Sequence, residues 1–445
     1  MTTRVSAQPE APANRDPVYV GSTQRSEVYA HFKSGAIVRA PRSRARSYPN
    51  LRGGAPPTRA FYAELARQCR GGLCIDVGTG SAEGAELLGA RADRVFALER
   101  DREALAFARE YTRRAEIVDH DARYPLPVKG ASHAMLADVL GHVKDPSVVL
   151  THVRDALAED GRALIAEPHA APGQRLTPPL RRAFSTRELE RLLARSGFRV
   201  ESWVMQQGTF VSCFASPLRT AAADALVRGV RALSIGDPEA ALGAFARATD
   251  SEDRLTAREA RLGRARAAVA LGRGNDAVMA LDAAVAIDPD CSEAYASLAE
   301  IALLMGEADN ALSLAMRAAE LDSTSPLAAR VAAHAAGRLG HPEAPAAWRT
   351  ALSLSPDHVD VAGEAARVFA ERGDYANGIV VFERLRAYGD PLGAPFHTTL
   401  GWLLLLDGRT ADARLEAQMA LQLAPHDDAA SELWTALQGD PRATH

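Results

Sequence analysis

The feature that most constrains this fold is an internal repeat in the second half of the chain. Small residues recur there at intervals of 33 to 36 positions: Ala241, Ala277, Ala311, Ala344, Gly378 and Ala413. A glycine precedes each of them by four or five positions, at Gly236, Gly272, Gly306, Gly340, Gly373 and Gly408. A period of this length in an Ala- and Leu-rich segment predicts pairs of helices that stack on the next pair and bury a continuous core.

The second helix of each unit has a further pattern. An aromatic residue, Leu or Ala follows the small residue four positions later, and Ala or Leu follows seven positions later. Several units close with a proline, at Pro289, Pro356, Pro391 and Pro425. This pattern resembles tetratricopeptide repeats. We therefore assign residues 219–445 to an all-α solenoid with about six repeats at 222–425 and a capping helix after them. The first unit, and the fourth with Pro345, depart most from the pattern.

The segment 61–216 has a different organisation, because short apolar runs alternate there with stretches of helical composition. The runs at 73–77, 95–99, 115–118, 134–138 and 163–166 have the length of strands. Strands separated by helices form a parallel sheet that is buried on both faces. Two longer runs, 198–205 and 209–215, predict an antiparallel hairpin. The sequence therefore predicts an α/β domain in which a hairpin closes a parallel sheet.

A glycine-rich turn follows the first of these strands. Gly78 and Gly80 lie between the strand 73–77 and a helix that begins near Glu83. Glycines allow a sharp turn and a close approach of the backbone to a ligand, so the turn indicates a nucleotide-like cofactor. A dinucleotide is less suitable, because Gly84 comes one residue too late for the usual spacing. Asp76, two residues before the turn, would also repel a pyrophosphate.

Acidic residues end the next two strands. Glu99 ends the second strand, 21 residues after Gly78, where a carboxylate can accept both hydroxyls of a ribose. Asp121 and Ala122 follow the third strand. A stretch similar to L-x-H-V-x-D lies after the fourth strand, at 139–146, and Asp160-Gly161 precedes the fifth.

In combination these motifs resemble class I S-adenosylmethionine-dependent methyltransferases, in the branch that contains quinone-biosynthesis enzymes. The resemblance implies a Rossmann-like fold, methyltransferase activity and S-adenosylmethionine as the cofactor. It assigns Gly78 and Gly80, together with Asp76, to the methionine moiety. It assigns Glu99 to the ribose, and Asp121 with Ala122 to the adenine. Thr79, Ser81 and Asp138 are further residues that it implies in cofactor binding.

Methyl transfer depends mainly on alignment and a dry pocket, so no catalytic side chain is obligatory. An acceptor that must lose a proton would benefit from a general base. The candidates near the strand ends are Asp138, His142 and His169. The acceptor itself, a small molecule or a protein, is not identified by the sequence.

Charge is unevenly distributed along the chain. Residues 1–218 have 31 Lys and Arg against 24 Asp and Glu, whereas the remainder has 21 against 32. An acidic solenoid would repel nucleic acid and attract basic peptides, so we expect its groove to bind a protein partner. The competing occupant is a basic arm of this chain, at 18–60, which contains Arg39 and Arg52 and follows a predicted disordered tail at 1–17.

The remaining features concern the compartment. No apolar run approaches the roughly 18 residues of a membrane span. The four cysteines have no metal-binding spacing and predict buried free thiols, no metal and a cytoplasmic location.

Two alternatives to an active methyltransferase stay open. One is a scaffold protein with a non-catalytic methyltransferase domain, and the other, weaker, is a nicotinamide-dependent oxidoreductase.

Overall fold

The structure is a computed structural model that describes residues 28–31, 37–40, 58–170, 176, 178–204, 209–388 and 392–439. Two short antiparallel strands, β1 (Val28–His31) and β2 (Ile37–Ala40), lie within the predicted basic arm. The predicted tail at 1–17 and the rest of the arm up to residue 57 lie outside the described residues. None of the described helices is both long enough and apolar enough to cross a membrane.

A seven-stranded sheet organises the first half of the chain. Its strands are β3 (Leu73–Val77), β4 (Arg94–Glu99), β5 (Glu116–Asp119), β6 (Ala131–Ala137), β7 (Leu157–Pro168), β8 (Phe198–Val204) and β9 (Phe210–Pro217). The spatial order is β5-β4-β3-β6-β7-β9-β8. The first five are parallel, and β9 pairs antiparallel with both β7 and β8. The predicted fold class, a parallel sheet closed by a hairpin, is confirmed.

Five helices cover the two faces of the sheet: α1 (Arg59–Gln68), α2 (Glu83–Leu88), α3 (Arg102–Tyr111), α4 (Pro146–Ala156) and α5 (Thr186–Arg195). Local sequence explains where several begin. The Asp101 side chain accepts from the N–H of Ala104 at the start of α3, and Ser185 forms a reciprocal capping box with Glu188 at the start of α5. Apolar side chains of helices and strands pack into two clusters, one on each face of the sheet.

Two strand boundaries differ from the sequence prediction. β7 begins at Leu157, directly after α4, and not near residue 163. Its pairing with β6 shifts register between Ala131 and His133, which accommodates the residues around Gly161. β6 ends before Asp138, because Asp138 has a φ of 57° and cannot continue the strand.

Thirteen helices are described after β9. They are α6 (Ala221–Ser234), α7 (Pro238–Ala246), α8 (Arg254–Ala270), α9 (Gly274–Ile287), α10 (Ser292–Leu304), α11 (Ala308–Leu321), α12 (Pro326–Arg338), α13 (Ala344–Leu354), α14 (Val359–Ala370), α15 (Tyr375–Arg386), α16 (Ala394–Leu406), α17 (Thr410–Leu423) and α18 (Asp428–Gly439). They form six helix pairs and a final helix, as the repeat predicts. All six turn glycines have φ between 65° and 86°, and the small residues of the repeat are buried.

The α/β domain packs against one edge of this solenoid through α5. Acidic residues lie at the start of the first helix in successive repeats or in the turn before it: Asp253, Glu293, Asp322 and Asp357. Arginines of α5 and its flanking segments face them. Arg191 is 3.1 Å from Asp322 and Arg181 is 2.7 Å from Asp357. We call this set of contacts the docking interface.

Further contacts extend the docking interface on both sides. Arg187 donates to the carbonyl of Leu321 at 2.9 Å, and Arg195 lies 3.8 Å from Glu293. Arg231 of α6 donates to the carbonyl of Thr151 in α4 at 3.0 Å. Arginines of the α/β domain therefore neutralise part of the acidic charge of the solenoid. The sequence predicted an external protein or the basic arm as the binding partner of these acids, and not the α/β domain.

Candidate functional site

The candidate site is a crevice of about 250 Å³ at the carboxyl ends of β3, β4, β5 and β6. Strand order reverses between β3 and β6, and ligands of open α/β sheets bind at such a point. Of the residues predicted from sequence, the structure brings together around this crevice Gly78, Glu99, Asp121, Ala122, Asp138 and His142. Its volume lies just below the usual range of roughly 300–1,000 Å³ for small-molecule pockets.

Gly78 has a φ of 68°, and a Cβ at this position would lie 2.9 Å from Val139 Cγ2. Only glycine therefore suits this edge of the crevice. Asp76 does not line the crevice but lies beneath it, fully buried. Its carboxylate accepts from the hydroxyls of Tyr62 at 2.7 Å and Thr79 at 2.5 Å. Burial raises the pKa of Asp76 to about 6, although both hydrogen bonds oppose the rise.

Glu99 is 2% exposed and is fixed by backbone donors. Its Oε2 accepts from the backbone N–H of Gly80 at 2.9 Å. Its Oε1 accepts from the backbone N–H groups of Arg100 at 2.8 Å and Asp101 at 2.9 Å. Gly80, together with Thr79 and Ser81, does not itself line the crevice. The Glu99 carboxylate thus couples the glycine turn to the end of β4 and forms part of the crevice surface.

Asp121 lies between two arginines. Arg123 donates to it with Nη2 at 2.6 Å, and Arg100 donates at 3.2 Å. Burial works to raise the pKa of Asp121, but the hydrogen bonds and positive charges of these arginines outweigh it and lower the pKa to about 2. Asp121 is therefore ionised throughout the physiological range.

Asp138 and His142 form a pair inside the crevice. His142 Nε2 lies 3.0 Å from Asp138 Oδ1, and the positive φ of Asp138 turns its side chain back toward the histidine. His169, the third candidate base, does not line the crevice. Its backbone N–H donates to the carbonyl of Thr209 at 2.8 Å, directly after the carboxyl end of β7.

Glu167 does not line the crevice but supports the segment 139–141 beside it, a role that was not assigned from the sequence. This fully buried side chain accepts from the N–H groups of Val139 at 3.0 Å, Leu140 at 2.9 Å and Gly141 at 3.0 Å. Burial, and then the charge of Asp138, raise the pKa of Glu167 to about 7, while the three N–H donors oppose the rise. The feature of the sequence that could have indicated Glu167 is an acidic residue at the end of an apolar strand, in Ala166-Glu167-Pro168.

The outer side of the crevice is lined by residues from distant parts of the chain, namely Pro179, Arg181 and Tyr388. Tyr388 belongs to the solenoid, directly after the fifth helix pair. No local pattern in the sequence connects these residues with the glycine turn.

A second cluster lies near the amino ends of the strands. Cys69 and Cys74 are buried, their sulfurs are 3.5 Å apart, and the ligand atoms of Cys69, Cys74 and His133 lie within 4.8 Å of one another. The sequence predicts no pairing among the cysteines; Cys69 and Cys74 meet because the chain turns back at Gly71 and Gly72, between the end of α1 and β3. Two thiolates and one imidazole are suitable zinc ligands, but they supply three of the usual four.

Family comparisons agree with this geometry. Residues 56–202 match the family described as "Methyltransferase domain". This match, together with a relative named as S-adenosylmethionine-dependent, indicates S-adenosylmethionine as the cofactor. Tetratricopeptide repeats match at 226–290, 262–326 and 364–428, which leaves the proline-containing fourth repeat outside the matched ranges.

One similar protein is a probable S-adenosylmethionine-dependent methyltransferase of Mycolicibacterium smegmatis, 30% identical over 146 residues, which cover 32% of this chain and 57% of that protein. An uncharacterized Mycobacterium tuberculosis protein is 33% identical over 139 residues, with 28% and 46% covered. The chain thus spans about half the length of these relatives. Among solved structures, a DhpI–SAH complex is 23% identical at a TM-score of 0.31, covering 36% of this chain and 85% of that one.

Proposed function

We propose that this protein transfers a methyl group from S-adenosylmethionine to an acceptor bound in the crevice. The observation that supports this most directly is the convergence of Gly78, Glu99 and Asp121 on one crevice where the strand order reverses. The bound cofactor supplies an electrophilic methyl group. The chain's own residues then have to bind, orient and exclude water.

The roles follow from the contacts. Glu99, held by three backbone N–H groups, presents a fixed carboxylate to the ribose hydroxyls. Asp121 remains ionised between its arginines and accepts from the amino group of the adenine. Asp76 does not touch the ligand but holds Thr79, and so fixes the turn at Gly78. Ala122 contributes apolar surface beside the adenine.

The pair formed by His142 and Asp138 is the catalytic candidate. If His142 donates its Nε2–H to Asp138, then Nδ1 has the lone pair that receives a proton from an acceptor hydroxyl or amine. Asp138 stabilises the imidazolium that results. Glu167 keeps this pair in place through the backbone of residues 139–141. His169 does not line the crevice and is no longer a favoured base.

The proposal also includes the branch of methyltransferases, the partner of the repeats and the cellular location. The motif at 139–146 supports membership in the branch with quinone-biosynthesis enzymes. Acidic tetratricopeptide repeats support a protein partner in the groove, and buried free cysteines support a cytoplasmic location.

The test is a calorimetric titration of the purified protein with S-adenosylhomocysteine. Glu99→Ala removes a charged acceptor of two hydroxyls and should weaken binding by about 1.5–3 kcal/mol. Glu116→Ala is the matched control, because Glu116 is an exposed acid at the opposite end of the neighbouring strand, where it pairs with Arg94. Circular dichroism checks that each variant is folded.

Equal affinity of wild type and Glu99→Ala would refute the assignment of the ribose site. No binding by the wild type would favour the non-catalytic scaffold. Binding of S-adenosylhomocysteine together with normal turnover in His142→Ala, once an acceptor is known, would exclude His142 as the base and leave the cofactor site intact.

A further inference from the structure

One side of the crevice belongs to the solenoid. Tyr388 is 8% exposed although it follows the end of a surface helix, α15. Its hydroxyl donates to the carbonyl of Leu180 at 3.2 Å. Tyr388 therefore bridges the fifth repeat and the segment between β7 and α5, and its side chain lines the same crevice as Glu99 and His142.

Arg181 connects this tyrosine to both domains. Its guanidinium Nη1 lies 2.7 Å from Asp357 Oδ2, and its Cζ lies 5.4 Å from the centroid of the Tyr388 ring. Its backbone N–H donates to the carbonyl of Gly141 at 2.9 Å, next to the candidate base His142. A Cβ on Gly141 would lie 2.8 Å from the carbonyl oxygen of Arg182, so the two segments pack without free space.

We propose that the solenoid completes the cofactor and acceptor site, with Tyr388 and Arg181 as binding residues, and that cofactor binding and domain docking are thermodynamically linked. This inference rests on the proposed function. It assigns the fifth repeat a direct part in the methyltransferase site, in addition to any partner that the repeats bind.

The linkage follows from the position of the two residues. When the domains separate, Arg181 no longer contacts Asp357 and Tyr388. The crevice then lacks the residues that line its outer side and is open to water. A ligand that contacts this side binds the docked form more tightly. It must therefore stabilise docking by the same factor, because the coupling between two binding equilibria is reciprocal. A partner that displaces the fifth repeat would weaken cofactor binding through the same residues.

The experiment measures S-adenosylhomocysteine affinity by calorimetry in the full-length protein. Tyr388→Ala should raise the dissociation constant about tenfold, since it removes an aromatic surface from the crevice. Tyr388→Phe keeps the ring and should stay within about threefold. Asp357→Asn should weaken binding by at least about threefold, because Arg181 loses its charged partner.

Asp360→Asn is the matched control, since Asp360 lies in the first turn of α14, three residues after Asp357, but its side chain is 83% exposed. The reciprocal measurement is hydrogen exchange. Added S-adenosylhomocysteine should slow amide exchange in 378–388 of the wild type, and this slowing should be lost in Asp357→Asn.

The outcomes separate the two proposals. If the wild type binds S-adenosylhomocysteine and Tyr388→Ala and Asp357→Asn bind it equally well, the inference is overturned and the proposed function stands. If the wild type binds none, both fall together. Should Tyr388→Ala fail to fold, the comparison of Asp357→Asn with Asp360→Asn decides alone, and equal affinities of these two variants reject the linkage.

Discussion

The docking interface depends on a buried ion pair, and replacing Arg191 with Ala should loosen it. Arg191 and Asp322 are 11% and 6% exposed at their side chains. Asp322 Oδ2 faces Arg191, while its Oδ1 accepts from the N–H of Thr324 at 3.0 Å and from its hydroxyl at 2.7 Å. In Arg191→Ala, the Asp322 carboxylate would stay buried with hydrogen bonds but without a counterion.

The magnitude follows from this burial. Breaking a buried pair by removing one partner typically costs about 3–5 kcal/mol, because the remaining charge is uncompensated. The interface can avoid part of this cost by opening to water around Asp322. Opening of α5 from the start of α12 should therefore become more frequent by about a hundredfold or more. Exposed pairs contribute roughly 0–1 kcal/mol each, so the control is Arg367→Ala, which removes two exposed ion pairs, with Glu364 and Glu371.

The assay is hydrogen exchange with mass spectrometry on the backbone amides of 186–195 and 321–329. Exchange should accelerate in both segments of Arg191→Ala and in neither segment of Arg367→Ala. The exchanged pair, Arg191→Asp with Asp322→Arg, should recover part of the protection. Unchanged exchange in Arg191→Ala, or equal acceleration in the control, would show that the ion pair does not hold the domains together.

Three further predictions concern the site, the interface and the solenoid. Glu167→Gln should accelerate exchange of the amides of 139–141 and slow turnover, because an amide offers one acceptor oxygen to three N–H donors; unaltered exchange would contradict this. Burial works to raise the pKa of Glu293, but the charges of nearby arginines outweigh it and lower the pKa from its ordinary 4.5 to about 2. The contribution of Glu293 to docking should therefore be present above about pH 4.5 and lost as the pH falls toward 2, which is measured as a growing radius of gyration; a radius independent of pH would count against it. Gly306→Ala should destabilise by about 1–2 kcal/mol in thermal melts through its φ of 86° alone, since a Cβ there meets nothing within 4 Å; an unchanged melting temperature would disprove it.

Much of the architecture was available from local sequence. The period of the small residues predicted the six helix pairs, because each repeat needs the same close contact between helices at the same position. The length and apolar character of the strand segments predicted the parallel sheet and its closing hairpin. The end of β6 and the start of β7 differ from the prediction, because the positive φ of Asp138 and the register shift at the start of β7 are features of backbone geometry that composition does not encode.

The candidate site was partly readable for the same reason. Glycine at 78 and acids at 99 and 121 stand at strand ends, and parallel strands bring their carboxyl ends to one edge. The sequence assigned no role to Glu167, because its hydrogen bonds join the end of β7 to a loop 26 to 28 residues away. It also grouped His169 with the bases, although His169 pairs with the segment at Phe184 and does not line the crevice.

The sequence by itself determined the two folds and most of the cofactor edge, because those depend on short-range periodicity and on residue types at the ends of elements. Only the tertiary structure decided that the domains share a site. Arg187, Arg191 and Arg195 recur at helical spacing, and Asp322 and Asp357 are separated by 35 residues, one repeat period, so both sets of charges were visible in the sequence. Their pairing was not, since nothing local specifies which edge of the solenoid meets α5. Tyr388 reaches the crevice only through that docking, 207 residues after Arg181 in the chain, where burial and charge pairing, not sequence proximity, fix its place.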